Sequence, residues 1–243
     1  MARFKITIQY DGTNFFGWQF QPEKRTVQDE LEKVISKFSD KEKIKVFGAG
    51  RTDAGVHALS QVAHFDLNTD LDTCNLMKAL NAHLSEDILV ESLDVVPADF
   101  HARYSAQIRY YRYQCYTGNN VLFRNQSWIT GQLDQSILQS VAETVVGEHD
   151  FLSFFKFRID MKSTVCKIYE SVWKKQDKML IYYVSGNRFL HHMVRYLTGT
   201  MVEISRGRFT IELFLNLLNN PEKNVQIFKA PPQGLILEKV DYA

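Results

Sequence analysis

Cysteine is scarce in this chain. Cys74, Cys115 and Cys166 are the three in 243 residues, far apart and with no CxxC pair. That spacing argues against a disulfide framework or a zinc–cysteine site and fits a reducing compartment. Long apolar runs are lacking too, and none approaches the roughly 18 residues of a membrane span. The opening residues Met1, Ala2, Arg3, Phe4 and Lys5 enter a strand pattern at once. The expectation is a cytoplasmic protein with no membrane contact. Nor is there a surplus of one charge, with 29 Lys and Arg against 28 Asp and Glu. Nothing global announces a nucleic acid, so any phosphate-binding surface has to be local.

Several familiar signatures are missing as well. Gly48-x-Gly50 has no third glycine in register and leads into a strand pattern, and no G-K-[ST] occurs. Tyr10-Asp11-Gly12-Thr13 carries Gln9 where an aspartyl-phosphate site of the D-x-D-G-T kind has its nucleophile, so Asp11-Gly12 reads as a turn. His57, His64, His191 and His192 show neither H-E-x-x-H nor Cys/His spacing, and no metal is expected.

What is present centres on residues 48–57, G-A-G-R-T-D-A-G-V-H. Three glycines and two alanines crowd around Arg51, Thr52 and Asp53. Glycine supplies unusual backbone conformations and leaves room for another molecule to approach the main chain. The stretch reads as a tight loop presenting Asp53, with the neighbouring Arg51 favouring the charged form of the carboxylate. A held, ionised aspartate suits a carboxylate nucleophile. The plainer alternative is a glycine-rich turn with an Asp–Arg surface pair.

A second feature is local charge. No acidic residue falls between Asp99 and Asp134, while Arg103, Arg109, Arg112 and Arg124 do. Phe100, Tyr104, Tyr110, Tyr111, Tyr113, Tyr116, Phe123 and Trp128 share the window. Arginines interleaved with aromatics suit a surface that follows an RNA backbone and stacks on its bases. The competing reading is an aromatic core strand with solvated arginines.

The hydrophobic periods give a βαββαβ order in the first half. Strands are expected at residues 3–10, 44–47, 61–66 and 88–95. Thr26, with Asp29 three residues on, caps one helix, and Asp72 or Thr73 caps another. The second half repeats the order, with strands at 109–116, 165–174, 179–185 and 235–240. Its helices are one capped by Asp134 and ended by Gly147, one over 189–203 and a short one over 211–219. On the helix at 189–203, His191 and His192 share a face with Arg195 at i+3 and i+4 spacing, which would aim Arg195 at a cleft. The expected architecture is α+β, two tandem ferredoxin-like or RRM-like halves at 1–104 and 105–243, sharing one sheet or packed with a cleft between them.

Residues 48–58, G-A-G-R-T-D-A-G-V-H-A, followed by Q-V-A-H-F, resemble the catalytic loop of the tRNA pseudouridine synthase A family. Three more segments match in order: Y-D-G-T-x-F-x-G-W-Q at 10–19, D-F-H-A-R-Y-S-A at 99–106 with the R-Y-Y-R-Y after it, and F-L-H-H-M-V-R at 189–195. The closing G-L-I-L-E-K-V-D-Y also fits. The resemblance implies the pseudouridine-synthase fold, two α+β halves meeting in an extended antiparallel sheet with a central cleft. It implies Asp53 as nucleophile, Tyr111 against the target uracil, and Arg51 and Arg195 as the cations flanking the aspartate. It further implies conversion of uridine to pseudouridine at positions 38 to 40 of the tRNA anticodon arm, no cofactor or metal, and a homodimer that shares the tRNA. Arg103, Arg109, Arg112 and His191 complete the candidate substrate contacts. One stretch departs from the pattern: at 157–167 the family places arginines around the threonine, whereas Lys162, Ser163, Thr164 and Lys167 stand here. Lysine keeps the charge but not the bidentate fork.

The chemistry agrees from below. The isomerisation exchanges a glycosidic C–N bond for a C–C bond on the same base. One carboxylate can serve by attacking sugar or base, or by assisting elimination from the ribose, and the residues do not choose. Two rivals remain in view. A noncatalytic RNA-binding protein of paired RRM-like units would carry an RNP signature, and none is present. A small-molecule enzyme would leave the acid-free arginine and tyrosine window unexplained.

Overall fold

Alternation along β1 (Ala2–Tyr10) buries Phe4, Ile6, Ile8 and Tyr10 on one side, as a half-buried strand requires. The structure, a computed structural model, describes residues 1–39, 43–156 and 161–242. In α1 (Val27–Ser36), the Thr26 hydroxyl accepts from the Asp29 amide, and Leu31, Val34 and Ile35 form the buried stripe. The two-residue β2 (Phe47–Gly48), β3 (His57–Leu67), α2 (Thr73–His83) and β4 (Ile88–Val96) follow. Asp72 caps α2 by accepting from the Asn75 amide at 2.8 Å. The βαββαβ order of this half is therefore the one the periodicity predicts.

By compactness, residues Met1–Gln107 and Leu237–Ala243 form one unit and Ile108–Ile236 another. In the first unit β1 runs antiparallel to both β3 and β4, and β2 pairs with β3. Phe4 stands opposite Phe65, their rings stacked at 5.6 Å. Arg25 ties the segment before α1 to the start of β4. Its guanidinium reaches both oxygens of Asp87 at 2.6 and 2.8 Å and Glu30 at 3.1 Å, and lies 4.1 Å from the Phe15 ring centroid. These hydrogen bonds hold the Asp87 carboxyl below its ordinary range and raise Arg25.

The second unit is built on β5 (Ala106–Tyr116), which starts two residues before the boundary, β7 (Gly147–Asp150), β8 (Val165–Gln176) and β9 (Met179–Gly186). β5 and β8 flank β9, and β7 pairs with β8, all antiparallel. The short β6 (Trp128–Ile129) lies parallel to β5. Among the described residues, the helices α3 (Gln135–Glu143), α4 (Met193–Ser205) and α5 (Ile211–Asn219) accompany the strands. The last strand, β10 (Leu235–Tyr242), crosses from the second unit to the first at residue 237. The Ser171 hydroxyl donates to the Ala142 carbonyl at 2.7 Å and meets the Tyr182 hydroxyl at 2.8 Å. With both partners buried, that pairing spares polar atoms the cost of desolvation. The result is a mixed α+β chain, and among the described residues no helix is long and apolar enough to cross a membrane.

Three expectations are corrected. Gly147 does not end a helix: α3 stops at Glu143, and Gly147, with φ 116°, opens β7. Residues 44–46 are not strand, although Ile44 and Val46 are buried, because alternation there serves packing without ladder pairing. The helix expected over 189–203 begins only at Met193, since His192 has the left-handed φ of 65° that a helix interior does not accept. Of the unusual stretch at 157–167, residues 157–160 lie outside the described residues, while Lys167 is on β8 with its side chain 5.8 Å from the Tyr169 ring centroid.

Gly199 in α4 yields a test with an inverted sign. A helix-interior glycine replaced by alanine ordinarily gains about 1 kcal/mol. Here the added carbon would lie 2.2 Å from the Phe228 carbonyl oxygen and 2.6 Å from the Ala230 nitrogen. Gly199→Ala should instead destabilise the protein by about 1–3 kcal/mol in urea unfolding, the cost of overpacking.

Candidate active site

The loop carrying Asp53 is built by main chain meeting main chain. Residues 12–18, which follow β1, lie against residues 52–56. Trp18 donates its amide to the Thr52 carbonyl at 3.1 Å, and Gly55 donates to the Phe15 carbonyl at 3.2 Å. Gly17 has φ 91°, and a side chain there would start 2.7 Å from the Thr52 oxygen and 3.1 Å from the Asp53 carbonyl carbon. Only glycine satisfies both conditions. Within the loop, Val56 donates to the Asp53 carbonyl at 3.1 Å, and Gly55 takes the positive φ of 78°. That is a turn with glycine at its third position.

Side chains lock the rest of the loop. The buried Gln61 amide clamps Gly50, donating to its carbonyl at 2.8 Å and accepting from its amide at 3.3 Å. The Thr52 and Tyr10 hydroxyls meet at 2.8 Å. His57 Nδ1 accepts from the Gly12 amide at 3.0 Å, and Asp11 accepts from the Thr13 amide, which makes Asp11-Gly12 the turn expected of it. Asp53 is half-buried on this frame and Arg51 is exposed. Sequence reasoning passed over Gly17, Trp18 and Gln61 as holders of the loop, although the first two stand in the segment at 10–19 and the third in Q-V-A-H-F.

In the second unit, several candidates gather on residues 187–195. Arg109 donates to the Asn187 carbonyl at 2.7 Å, and the buried Tyr111 ring meets Phe189 edge-on at 5.1 Å. His191 is exposed and precedes α4. Arg195 is on the first turn of α4, 7% exposed, with Nε donating to the Ala230 carbonyl at 2.8 Å. Because α4 begins at Met193, the helical i+3 and i+4 relation of His191 and His192 to Arg195 does not hold. Arg112 is not brought to this group by its strand: one residue from Tyr111, it takes the other face of β5. The same alternation buries Tyr111 and Tyr113, and Tyr116 is buried at the strand's end, so much of the aromatic window is core. Burial pushes the Tyr113 hydroxyl well up in pKa, and it donates to Pro231 at 2.7 Å.

A third group, on the first unit, was not singled out as a group in the sequence. His64 on β3 stacks on Phe47 at 5.1 Å and meets His101 at 4.6 Å, and His101 meets Tyr104 at 4.4 Å. His64 Nδ1 accepts from the Ala102 amide at 3.1 Å and His101 Nδ1 from the Arg103 amide at 3.1 Å. Burial, then the neighbouring His101 and Arg3, push the His64 imidazole down to about 4. His101 is lowered as well, chiefly by burial. Arg103 is exposed beside them.

The comparisons with known proteins fall on this frame. The profile of a family described as tRNA pseudouridine synthase matches residues 6–105 and 141–243. The chain belongs to that family. Its members include tRNA pseudouridine synthase A of Geobacillus sp. (strain WCH70), 39% identical over 99% of this chain and 98% of its own. The enzyme of the same name from Dictyoglomus turgidum is 41% identical over the full length of both chains. A solved Cbf5–Nop10–Gar1 complex contains a chain overlapping 82% of this one and 53% of its own length, at 13% identity and a TM-score of 0.37. Family membership makes the chain an isomerase that forms pseudouridine in tRNA.

Two measurements test this frame. Gly17→Ala should cost on the order of 1–3 kcal/mol in unfolding free energy, from backbone strain at a position that cannot relax, and should cut turnover by displacing Asp53. The histidine cluster should make stability depend on acid. Below about pH 6.5 the unfolded chain takes up a proton that folded His64 refuses, so stability falls from there towards pH 4. His64→Asn, which keeps an acceptor for the Ala102 amide, should flatten that decline when urea unfolding is followed from pH 7 to 4.5.

Proposed function

We propose that the chain isomerises uridine to pseudouridine in the anticodon arm of tRNA, at positions 38, 39 and 40, with Asp53 as the nucleophile. The observation that carries this reading is the loop itself. A carboxylate stands on a backbone fixed by glycines at close approach, in a chain that belongs to the tRNA pseudouridine synthase family. Fixing the backbone before the substrate arrives removes reorganisation from the chemical step.

The reaction needs no net redox change. The bond from ribose C1′ to N1 breaks, the base turns, C1′ bonds to C5, and the proton leaving C5 is balanced by one gained at N1. The Asp53 carboxylate opens the sequence either by attack or by assisting elimination. Tyr111 is proposed against the uracil, its ring edge set by Phe189 and its hydroxyl able to carry a proton. Arg51 and Arg195 are proposed as the cations serving the reacting carboxylate. Arg103, Arg109, Arg112 and His191 are proposed as substrate contacts. Arg109 and Tyr111 share the support of residues 187–189, which favours their acting on one substrate.

A base within a stem must leave its stack before it reacts, so shape and phosphate contacts should outweigh base reading. We also propose a homodimer that shares one tRNA, acting in the cytoplasm. The buried thiols of Cys115 and Cys166 suit a reducing compartment, with burial pushing Cys166 up to about 11.

An unmodified tRNA transcript, incubated with the protein in EDTA without cofactor, should gain pseudouridine in the anticodon arm by chemical mapping. Asp53→Asn should make none while still binding the transcript. Pseudouridine from that variant would remove Asp53 from its role, and modification outside the arm would remove the position.

A further inference from the structure

Tyr104 is 78% exposed, yet its ring packs on a neighbouring ring instead of standing alone in solvent. It rests on His101 at 4.4 Å between centroids, His101 meets His64 at 4.6 Å, and His64 is stacked on Phe47 at 5.1 Å. Phe47 immediately precedes Gly48, where the loop of Asp53 begins. The ladder of rings thus starts at the foot of that loop and ends in solvent.

The turn beneath the last ring is fixed by hydrogen bonds. His101 Nδ1 accepts from the Arg103 amide at 3.1 Å and the Tyr104 amide at 3.4 Å. The Ser105 hydroxyl accepts from the His101 amide at 3.1 Å, and the Ser105 amide returns to the His101 carbonyl at 2.9 Å. Arg3 donates to the carbonyls of Ala98 and Phe100 while its other nitrogens pair with Asp66 at 2.8 Å. Packing does not account for a ring so open to water, and exposure does not account for a turn so fully bonded. A surface aromatic held in advance is what a stacking partner needs, because the entropy of ordering it is already lost before binding.

We propose that Tyr104 is a stacking platform for an unpaired base of the RNA substrate, with Arg103 meeting the phosphate next to that base. The Arg103 guanidinium lies 5.9 Å from the Tyr104 ring centroid, close to the span between a nucleotide's base and its phosphate. Both residues open the acid-free window that runs to Asp134, so the platform meets a polyanion without a carboxylate following it in the chain. His101 and His64, held neutral by burial, meet edge to face without charge repulsion, which keeps the ladder of rings in contact near neutral pH. Stacking on an aromatic face tolerates any base, and that suits an enzyme whose substrates share a shape more than a sequence.

The proposal rests on tRNA being the substrate, and the experiment separates the two. Filter binding of an unmodified tRNA transcript is measured at several salt concentrations with the wild-type protein, Tyr104→Phe, Tyr104→Leu, Tyr104→Ala and Arg103→Ala. Loss of one stacked base should weaken Tyr104→Ala and Tyr104→Leu by about 5- to 150-fold with no change of salt slope. Tyr104→Phe should bind as the wild type does. Arg103→Ala should lower the slope of log affinity against log salt by about one. Wild-type affinity in Tyr104→Leu, or a Tyr104→Phe as weak as Tyr104→Leu, overturns the platform. So does unchanged tRNA affinity joined to weaker self-association in sedimentation, which would make a second copy of the chain the occupant. A wild-type protein that neither binds nor modifies the transcript overturns the substrate reading instead. Tyr104→Leu keeps the test open should the smaller alanine variant fail to fold.

Discussion

The backbone of residues 12–18 lies so close to that of residues 52–56 that no side chain fits between them, and the placing of Asp53 follows from that approach. Gly12 would drive a Cβ to 2.0 Å from the Val56 carbonyl oxygen, and Gly17 would drive one to 2.7 Å from that of Thr52. The contact is main chain to main chain, so it has none of the rotamer freedom that loosens contacts between side chains. Tyr10 on β1 and Gln61 and His57 on β3 then brace the loop. A carboxylate on a loop would ordinarily share the mobility of its backbone. Here it inherits the rigidity of a sheet.

The second unit holds its candidate residues differently. Arg195 is buried and its guanidinium is committed at Nε to a backbone carbonyl, whereas Arg109 spans from β5 to the segment before α4. A buried arginine keeps its charge, and its planar fork fixes direction as well as position. The abrupt start of α4 at the left-handed His192 turns His191 outwards. One residue of unusual backbone thus divides two neighbouring histidines between solvent and a helix cap.

Much of this was legible in the residues. Alternation in β1, the Thr26 and Asp72 caps and the buried stripe of α1 are local signals, and local signals survive into the fold. The glycines of residues 48–57 announced a tight loop around Asp53. What periodicity could not reveal was where a regular pattern stops. Residues 189–192 fit the apolar spacing of a helix, yet the backbone of His192 delays its start, and histidine's modest tolerance of a positive φ is too weak a signal to announce φ 65°. The aromatic window hid a similar ambiguity, since a strand with tyrosines at successive positions can bury one face or show either. The ladder from Phe47 to Tyr104 lay beyond local reading altogether, because it joins residues 47, 64, 101 and 104 through strand pairing and a turn.

The last strand bears on how the molecule comes into being. Residues from Leu237 onward are counted with the unit that carries Asp53, while the whole second unit lies between them and the rest of that unit in the chain. A ribosome making about 5–20 residues per second spends on the order of ten seconds on that intervening stretch. Throughout that time the first unit lacks part of its own chain, and the second unit, begun later, can be finished sooner. Order of synthesis and order of completion are thereby reversed for the two halves.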